Sequence, residues 1–572
     1  MAINSNSIQV AYFSMEIALH ADMPTYSGGL GILAGDTLRA AADLGVPMAA
    51  VTLLHRNGYF RQSLDELGNQ KTSPEDWQPE KLLTPMNAQG TVEIEGRKVH
   101  IRAWRYEIDG IWGHIIPVYL LDTNLPENSP EDQQLTHHLY GGDSRYRLCQ
   151  EAVLGLGGME MLRMLGHHEI RRYHMNEGHS ALLILDLIEQ QMQKQDSARD
   201  IDESIETIRG ACVFTTHTPV PAGHDKYTRL LPHQVLGDKR AELLEATRCC
   251  EKGTLNMTLL ALKCSQYVNG VAMRHGEISK GMYPGYPIRA ITNGVHAATW
   301  TSPPFQELFD QQIPEWRYDN LYLRYSIGIS LAEISRAHAR AKHLLLEMVR
   351  QRTGVTLSEN VMTIGFARRA TAYKRADLLF TDLERLQWIA QKVQPFQLIF
   401  GGKAHPEDEG GKETIRRLFD YAKILKDTVP VVYIENYDME WAMRLCAGCD
   451  LWLNTPQRPN EASGTSGMKA AMNGVPSFSV LDGWWVEGHV EGQTGWSIGH
   501  GGEFHEDTAS EATSLYDKLE QVILPLYYGH PLDYAAIMRS AIALNGSFFN
   551  TQRMLMQYVT NAYFPKIASN FE

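Results

Sequence analysis

Cysteine is scarce in this chain of 572 residues, which has seven cysteines at scattered positions. An odd, dispersed set is not the framework of a disulfide-stabilised secreted domain, so we expect reduced thiols in a cytoplasm. Cys446 and Cys449 have C-x-x-C spacing. Because no second cysteine pair or histidine pair accompanies them, the sequence predicts a buried helix end there and no metal site, with a redox role as the minor alternative.

Long apolar runs are also missing. No stretch approaches the ~20 apolar residues of a membrane helix. The N-terminus has no basic segment and its apolar part is interrupted by Glu16, which argues against a secretory signal. With 53 basic and 67 acidic residues, the formal net charge is −14. This charge argues against a non-specific nucleic-acid binder, but it is compatible with a local basic pocket for an anionic substrate.

The chain contains no internal repeat and no low-complexity segment, and its length predicts at least two domains. Apolar strand patterns alternate with helical patterns in two sets. The first set has predicted strands at residues 8–14, 48–54, 211–216, 266–271 and 288–292, with hairpins within 59–121 and a surface loop at 121–142. The second has predicted strands at 362–366, 397–400, 431–434, 451–454 and 477–481. This alternation predicts an α/β fold with two Rossmann-like domains facing each other across a cleft, the GT-B architecture.

One stretch carries several chemical groups close together. Residues 461–488 read E-A-S-G-T-S-G-M-K-A-A-M-N-G-V-P-S-F-S-V-L-D-G-W-W-V-E-G. Small residues at 463–467 precede a predicted helix at 468–472, so free backbone N–H groups at the helix start would form an anion cradle near Lys469. A well-capped turn followed by a surface lysine is the plain alternative.

Two other segments have the composition of anion sites. The loop Tyr26-Ser-Gly-Gly-Leu-Gly31 joins the predicted strand at 8–14 to a predicted helix at 32–44, although its spacing matches neither the Walker pattern nor G-x-G-x-x-G. The segment Arg368-Arg-Ala-Thr-Ala-Tyr-Lys-Arg375 places four cations within eight residues after a predicted strand. Such a cluster suits a phosphate pocket, and a solvated basic helix start is its alternative.

Histidines recur in the loops that follow predicted strands, at His179, His217, His275 and His296. Their spacing matches no metal motif. Ligands of open α/β sheets bind at the carboxyl ends of the strands, so we expect these side chains to hydrogen-bond a polar substrate.

These segments resemble the sequence pattern of the α-glucan phosphorylases, which include the glycogen, starch and maltodextrin phosphorylases. Residues 461–469 match the cofactor-lysine pattern E-A-S-G-T-x-N-M-K except at Gly467, where better-known members have asparagine. Residues 482–485 read D-G-W-W in place of D-G-A-N, which resembles a short bacterial and archaeal branch. Matches to K-R-x-x-x-Y-K-R, G-G-K-A, E-N-Y, T-H-T and T-N-G follow in family order across nearly the whole chain.

The resemblance implies a division of labour between domains. Residues 1–303 would form an N-terminal Rossmann-like domain that binds glucan and phosphate. Residues 304–545 would form a C-terminal Rossmann-like domain that binds pyridoxal 5′-phosphate, and the helical segment 546–572 would return toward the first domain.

Site residues are carried over position by position from the same resemblance. Lys469 would carry the cofactor, and the residues implied around it are Thr465, Ser466, Arg368 and Tyr437. Arg368 stands where the family has a lysine near the cofactor phosphate, and a planar guanidinium is not equivalent to an ammonium.

Substrate contacts are implied at two places. Arg369, Lys374 and the Gly29 N–H would bind the substrate phosphate, with Tyr373 touching both sugar and phosphate. The residues implied to hydrogen-bond sugar hydroxyls are Glu461, Ser463 and Gly464, with His217 and Asn293 at the 6-hydroxyl. Glu461, Lys469, Arg369 and Lys374 are the predicted catalytic set.

The implied reaction is the reversible phosphorolysis of an α-1,4-glucan or maltodextrin by inorganic phosphate to α-glucose 1-phosphate. The substrate phosphate would act as the acid, and the phosphate of the cofactor would tune its proton. Three alternatives stay open: a nucleotide-sugar glucosyltransferase of the glycogen-synthase type, a glycoside hydrolase, which needs a second facing carboxylate, and a non-catalytic glucan-binding protein.

Location, assembly and control are further expectations. We expect a cytoplasmic enzyme without nucleic-acid or membrane partners, and a homodimer is left open. The first predicted strand begins near Ile8 and the segment 121–142 is short, which leaves little room for the regulatory structure of large animal members. We therefore expect hyperbolic kinetics in phosphate and no response to AMP.

Overall fold

A computed structural model describes residues 7–193, 201–220, 224–251, 253–499 and 507–565. Strands in these ranges, in chain order, are β1 (Val10–Ser14), β2 (Met48–Leu53), β3 (Arg61–Leu64), β4 (Gln70–Ser73), β5 (Thr84–Ile94), β6 (Arg97–Asp109), β7 (Ile115–Asp122), β8 (Arg172–Asn176), β9 (Cys212–Thr215), β10 (Lys226–Thr228), β11 (Cys250–Glu251), β12 (Thr254–Asn256), β13 (Tyr267–Gly270), β14 (Ile288–Ala290), β15 (Met362–Ala367), β16 (Phe396–Gly401), β17 (Val431–Ile434), β18 (Leu451–Asn454), β19 (Ser477–Val480) and β20 (Gly495–Ile498).

The α-helices of the same ranges are α1 (Gly29–Asp43), α2 (Pro130–Gln133), α3 (Ser144–Ala152), α4 (Gly158–Met164), α5 (Leu183–Gln193), α6 (Ile201–Arg209), α7 (Leu230–Leu236), α8 (Asp238–Ala246), α9 (Met257–Lys263), α10 (Met273–Met282), α11 (Ala297–Trp300), α12 (Pro303–Gln312), α13 (Leu331–Thr353), α14 (Leu383–Trp388), α15 (Glu409–Leu425), α16 (Met439–Gly448), α17 (Ser466–Met472), α18 (Trp485–Gly488), α19 (Thr508–Lys518), α20 (Leu524–Gly529), α21 (Pro531–Ser540) and α22 (Thr551–Tyr558). None of these helices combines the length and apolar character that crossing a bilayer requires.

Two large sheets organise the molecule, and they confirm the predicted α/β class. The first has the order β14-β13-β9-β8-β1-β2-β7-β6-β5, in which β5, β6 and β7 pair antiparallel and the other pairs are parallel. The second has the order β17-β16-β15-β18-β19-β20 and is parallel throughout. The order of the first sheet reverses at β1 and β8, and that of the second at β15 and β18. Such reversals open crevices at the carboxyl ends of the strands, where ligands bind.

Local sequence explains the central elements. β15 is buried at every position, as expected for a strand that carries helices on both faces of a parallel sheet. The long helix α13 begins after Ser330, whose hydroxyl accepts the N–H of Glu333, and it ends at Gly354 in the left-handed region. Such caps satisfy backbone groups that the helix leaves free at its two ends.

Several predicted boundaries differ from the observed ones. The predicted helix 32–44 begins earlier, at Gly29, so the glycine loop supplies its first turn. The predicted surface loop 121–142 contains α2 and buries Leu125, Leu135 and Leu139. β20 was not predicted at all. Its Gly495 has a positive φ and would clash with Ser477 if it carried a Cβ, so tertiary contact rather than apolar pattern sets this edge strand.

The C-terminal helix lies against the first sheet. Tyr558 and Tyr563 are buried in the same hydrophobic cluster as β1 and α1. His174 of β8 lies 2.6 Å from the Tyr563 hydroxyl through its Nδ1. The domain boundaries at 303 and 545 stay a prediction.

A hairpin from the first half of the chain contacts the second sheet. In β3, the Gln62 N–H donates to the Asn436 side chain at 2.9 Å, and the Asn436 N–H donates back to Gln62 Oε1 at 3.0 Å. Gln70 of β4 exchanges two further hydrogen bonds with the backbone of Ala404. The hairpin therefore bridges the loops that follow β16 and β17 to the first sheet.

Candidate active site

A cavity of about 1150 Å³ lies between the carboxyl ends of the two sheets. Its lining comes from the loops after β1, β8 and β9 on one side and from those after β15, β16, β17 and β18 on the other. The predicted site residues that line it are Gly29, His217, Asn293, Arg368, Arg369, Tyr373, Lys374, Tyr437, Glu461, Ser463, Gly464, Thr465, Ser466 and Lys469. All the site positions carried over from the family resemblance thus meet in one cavity.

The loop between β18 and α17 is shaped by glycines. Gly464 has φ +84° and Gly483 has φ +57°, both in the left-handed region. A Cβ at Gly483 would lie 2.4 Å from the Ser463 carbonyl oxygen, so the strand-end turn at 482–483 packs directly on this loop. The Glu461 N–H donates to Asp482 at 2.9 Å, and the Trp484 N–H donates to the Ser463 carbonyl at 2.9 Å. These contacts fix the loop at both ends.

Lys469 lies in α17, which begins at Ser466 rather than at the predicted position 468. Its Nζ lies 3.9 Å from the centre of the Trp300 ring, and among the described residues it makes no hydrogen bond or ion pair. The Trp300 ring is fixed in turn, because its Nε1–H donates to buried Asp36 at 2.7 Å. Burial lowers the pKa of the Lys469 amine, against the weaker opposing effect of Asp36. The site therefore presents a buried amine that loses its proton more readily than an exposed lysine does.

The other predicted cofactor residues surround this amine. The Ser466 hydroxyl accepts the indole N–H of Trp452 at 3.1 Å, which leaves its own proton available. Tyr437 packs beside Gly401, and burial raises the pKa of its phenol well above the ordinary value. Arg368, in contrast, is already engaged by protein groups.

Glu461 forms a buried ion-pair cluster with two cations. Its Oε2 accepts hydrogen bonds from Arg368 at 2.6 Å and from Lys374 at 2.7 Å. The three side chains are only 6–10% exposed. Burial by itself raises the pKa of the Glu461 carboxyl, but the two cations bring the pKa down to about 2. Glu461 is therefore a carboxylate at neutral pH.

Arg369 faces the glycine loop across the cavity. Its guanidinium donates to the Ser27 hydroxyl at 3.3 Å and is accessible from the cavity. The N–H groups of Ser27 and Gly28 already donate to Glu16, at 2.6 and 3.2 Å. Gly29 is the first residue of α1, where N–H groups have no partner within the helix, and a Cβ there would meet open space. The predicted phosphate ligands Arg369 and Gly29 thus point into one space from opposite sheets.

The first sheet contributes polar side chains opposite the 461–469 loop. His217 donates its backbone N–H to Glu177 at 2.7 Å, and its Nε2 lies 2.6 Å from the Asn176 side-chain oxygen. Burial lowers the pKa of His217 to about 4, despite the carboxylate of Glu177, so the ring is neutral at neutral pH. Among the described residues, the buried oxygens Asn293 Oδ1 and Ser463 Oγ have no hydrogen-bond partner. Both residues line the cavity, and a turn of the side chain would bring either oxygen to a hydroxyl-rich ligand.

The four predicted histidines divide into two pairs. His179 and His217 line the cavity. His275 is buried against the Val271 N–H, and His296 contacts Asp43 and Thr299, so both serve the first sheet rather than the cavity. No group of three or more metal-ligating side chains occurs within the described residues.

Several lining residues had no sequence signal. Arg147 stacks on the Tyr140 ring at 4.4 Å, and Tyr140 donates to Glu16 at 2.9 Å. Lys403 belongs to the matched G-G-K-A segment but was given no role; it donates to the Phe60 carbonyl at 2.9 Å. The structure singles out Glu177, because it directly follows β8 and has a positive φ of 73°. Strained non-glycine residues often occur at functional sites.

Comparisons with known proteins agree with this geometry. The family model of the carbohydrate phosphorylases matches residues 226–518. The maltodextrin phosphorylase of Thermococcus litoralis is 39% identical over 98% of this chain and 71% of its own length. The glycogen phosphorylases of Mycobacterium tuberculosis and Aquifex aeolicus are 36% and 34% identical over 98% of this chain, and over 71% and 86% of their own lengths.

The chain belongs to the carbohydrate phosphorylase family. The matched range of this phosphorylase-family chain contains Arg369, Lys374, Glu461 and Lys469. Gly29 and His217 lie before that range, on loops of the first sheet, and the longer alignments to the three relatives extend over 98% of the chain.

Proposed function

We propose that this protein is an α-glucan phosphorylase, which transfers a glucosyl unit from the end of an α-1,4-glucan or maltodextrin to inorganic phosphate. One observation carries this proposal. The same cavity contains buried Lys469, which has no hydrogen bond to the described residues, and the cations Arg369 and Lys374, which lie opposite the start of α1. Family membership and the names of the similar proteins support the same reaction.

The phosphate half of the site is provided by both sheets. Arg369 and Lys374 supply positive charge from the loop after β15, and the first turn of α1 supplies the free N–H of Gly29. Charge-assisted donors of this kind bind phosphate oxygens strongly. Phosphate held there by fixed donors is oriented toward the sugar position, which supplies much of the catalytic advantage.

The sugar half lies between the 461–469 loop and the first sheet. Glu461 Oε1, which makes no hydrogen bond to the described residues, accepts from a sugar hydroxyl, and the unpaired Ser463 hydroxyl and Asn293 oxygen take others. Neutral His217 stands beside them as the predicted ligand of the 6-hydroxyl. The phosphate ligand carries the proton that the leaving glycosidic oxygen needs, so no second carboxylate is required.

The cavity fits pyridoxal 5′-phosphate as the cofactor. A buried amine without a hydrogen bond, a lowered amine pKa and a glycine-rich turn next to it are what a carbonyl cofactor with a phosphate group requires. Lys469 would hold the cofactor covalently, with Thr465 and Ser466 at its phosphate and Tyr437 at its ring. When bound, the cofactor supplies a second phosphate that adjusts the proton of the substrate phosphate.

Phosphate-dependent glucan cleavage tests the reaction. We expect glucose 1-phosphate to form from maltodextrin only when phosphate is present. Arg369→Met and Lys374→Met should each raise the KM for phosphate at least ~10-fold, because each removes a charge-assisted hydrogen bond. The KM for maltodextrin should change less than about twofold. Exposed Lys423→Met, outside the cavity lining, serves as the control. Cleavage at equal rates without phosphate would instead indicate a hydrolase.

Cofactor attachment is tested by borohydride reduction. We expect the purified protein to absorb as a pyridoxal adduct and the label to be recovered on the peptide that contains Lys469. Lys403→Ala is the matched control, because Lys403 lines the same cavity and burial lowers its pKa too, but its amine donates to Phe60. A Lys469→Ala protein that still forms the reduced adduct at this peptide would disprove the attachment.

A cytoplasmic location and a homodimer stay part of the proposal. Sedimentation of the purified protein tests whether it is a homodimer.

A further inference from the structure

The carboxylate of Glu461 is held by two cations that differ in how firmly the protein fixes them. Arg368 is the cation that the protein fixes more firmly. Its backbone N–H donates to the Gly401 carbonyl at 3.0 Å, its Nη2 donates to Glu461, and its Nη1 donates to Asn454. Asn454 in turn donates to the Ser479 hydroxyl at 3.2 Å. The planar fork of Arg368 is thus anchored at both tips, which a lysine at this position could not reproduce.

Lys374 is the less constrained cation. Within the described residues, its ammonium has Glu461 Oε2 as its only hydrogen-bond acceptor, and it lies over the Tyr373 ring at 4.4 Å. An ammonium has three donors on a flexible stem. Since Lys374 also lines the cavity, it can turn toward a bound anion without breaking other contacts.

Both bonds end on the same carboxylate oxygen, Oε2. If phosphate attracts Lys374, the buried carboxylate of Glu461 loses part of its compensation. A buried charge left without a partner is strongly destabilising. Arg368 prevents this, because its own bond to Glu461 does not depend on the position of Lys374.

We propose that Arg368 is a positioning residue that keeps Glu461 ionised and in place while Lys374 exchanges Glu461 for the substrate phosphate. This inference rests on the proposed function. It gives Arg368 a task toward Glu461 that is separate from the cofactor contact implied by the family lysine at this position.

The test is a double-mutant cycle on phosphate binding by the holoenzyme, measured by equilibrium dialysis with labelled inorganic phosphate. Arg368→Lys keeps the charge but cannot reach both Asn454 and Glu461. We expect it to raise the Kd for phosphate ~10-fold, the loss of one charge-assisted hydrogen bond, and to raise the KM for phosphate in parallel. In a Glu461→Gln background, where no carboxylate needs compensation, the same change should alter the Kd less than about twofold.

Arg375→Lys is the matched control. Arg375 lies in the same segment and pairs with buried Glu511 at 2.5 Å, but it does not line the cavity, so the Kd for phosphate should stay unchanged. Cofactor content, measured by absorbance after dialysis, is recorded for every variant.

Two results would overturn the inference. In the first, Arg368→Lys weakens phosphate binding equally with and without the Glu461 carboxylate, or not at all. In the second, Arg368→Lys loses cofactor, but its Kd for phosphate equals that of the wild type when pyridoxal phosphate is saturating. That result would mean that Arg368 serves the cofactor alone. A wild-type holoenzyme that binds phosphate without cleaving glucan would refute the proposed function, and the binding cycle would still decide the role of Arg368.

The expected result is that the effects of the Arg368 and Glu461 substitutions on the Kd for phosphate are coupled, with full cofactor content in every variant.

Discussion

Glu461 and Lys469 are eight positions apart in one loop-helix segment and both are buried, but their surroundings act on their charges in opposite ways. Glu461 has two cations within 2.7 Å. Lys469 lies against an aromatic ring and, among the described residues, has no counter-charge in hydrogen-bond contact. The site therefore stabilises an anion at position 461, and burial lowers the pKa of the amine at position 469.

The ion-pair cluster should make stability depend on pH. The pKa of Glu461 falls from 4.5 to about 2 on folding, so its stabilising contribution is fully present above pH 4.5 and is lost as the pH falls toward 2. We expect Glu461→Gln to reduce the free energy of unfolding at pH 7 by about 3 kcal/mol, measured by urea denaturation. The difference from wild type should shrink below pH 4.5.

Exposed Glu66→Gln is the control and should change stability little at either pH. A deficit of the Glu461→Gln protein that stays the same from pH 7 to pH 3 would show that lost packing, rather than lost charge pairing, is responsible.

At the scale of elements, the β3–β4 hairpin of the first half of the chain contacts the loops at the edge of the second sheet. Gln62 is fully buried and shares reciprocal hydrogen bonds with Asn436, and its side chain also donates to the Gly402 carbonyl at 3.1 Å. Asn436 and Gly402 lie in the loops after β17 and β16, beside the cavity. The hairpin thus ties the predicted cofactor side of the cavity to the first half of the chain.

Gln62→Ala should loosen this contact. It removes the side-chain hydrogen bonds of Gln62 and leaves the Asn436 N–H without a partner, at a cost of about 1–3 kcal/mol for such a group. The Gly402 carbonyl keeps the hydrogen bond that it accepts from the Tyr433 hydroxyl at 2.7 Å. We expect faster amide hydrogen exchange in residues 61–73 and 435–439, read by mass spectrometry. Ser63→Ala, on the exposed side of the same strand, should leave exchange unchanged. Equal protection in the Gln62→Ala protein would mean that other contacts hold the sheets together.

At the scale of the whole molecule, the C-terminal helix supports a loop more than 250 positions earlier in the chain. Arg553 of α22 donates to the carbonyl oxygens of Thr292 at 2.6 Å and Asn293 at 2.8 Å. Asn293 is the predicted ligand of the sugar 6-hydroxyl. The helix therefore fixes the backbone of a residue whose side chain faces the cavity.

Arg553→Met should weaken recognition of the 6-hydroxyl without touching the ligand. A site that pairs a substrate hydroxyl rejects the analogue that lacks it, and this rejection depends on the position of its polar groups. In the synthesis direction, the wild type should have a higher kcat/KM for glucose 1-phosphate than for its 6-deoxy analogue. We expect Arg553→Met to lower the ratio of these two values several-fold, which corresponds to roughly one lost hydrogen bond. Met556→Ala, an exposed change in the same helix, is the control. A ratio that stays at the wild-type value would separate α22 from the sugar site.

Much of the fold could be predicted from local pattern. The strands at 431–434 and 451–454 have the predicted bounds, because each is a short apolar run between turn residues, and such runs are buried in parallel sheets. β20 was missed because its short segment is bounded by contacts with β19 rather than by its own composition. The start of α1 was placed three residues late because glycines disfavour helix in isolation, whereas here they form its first turn.

By itself, the sequence determined the α/β class, the family and the set of segments that meet in the cavity, since apolar periodicity and short motifs are local properties of the chain. Only the tertiary structure decided how these groups pair. Arg368, Lys374 and Glu461 lie up to 93 positions apart, and their sharing of one carboxylate oxygen follows from the reversal of strand order at β15 and β18. The same holds for Gln62 with Asn436 and for Arg553 with Asn293. Pairings of this kind depend on which loops the sheets bring together, and no local pattern in the chain records that.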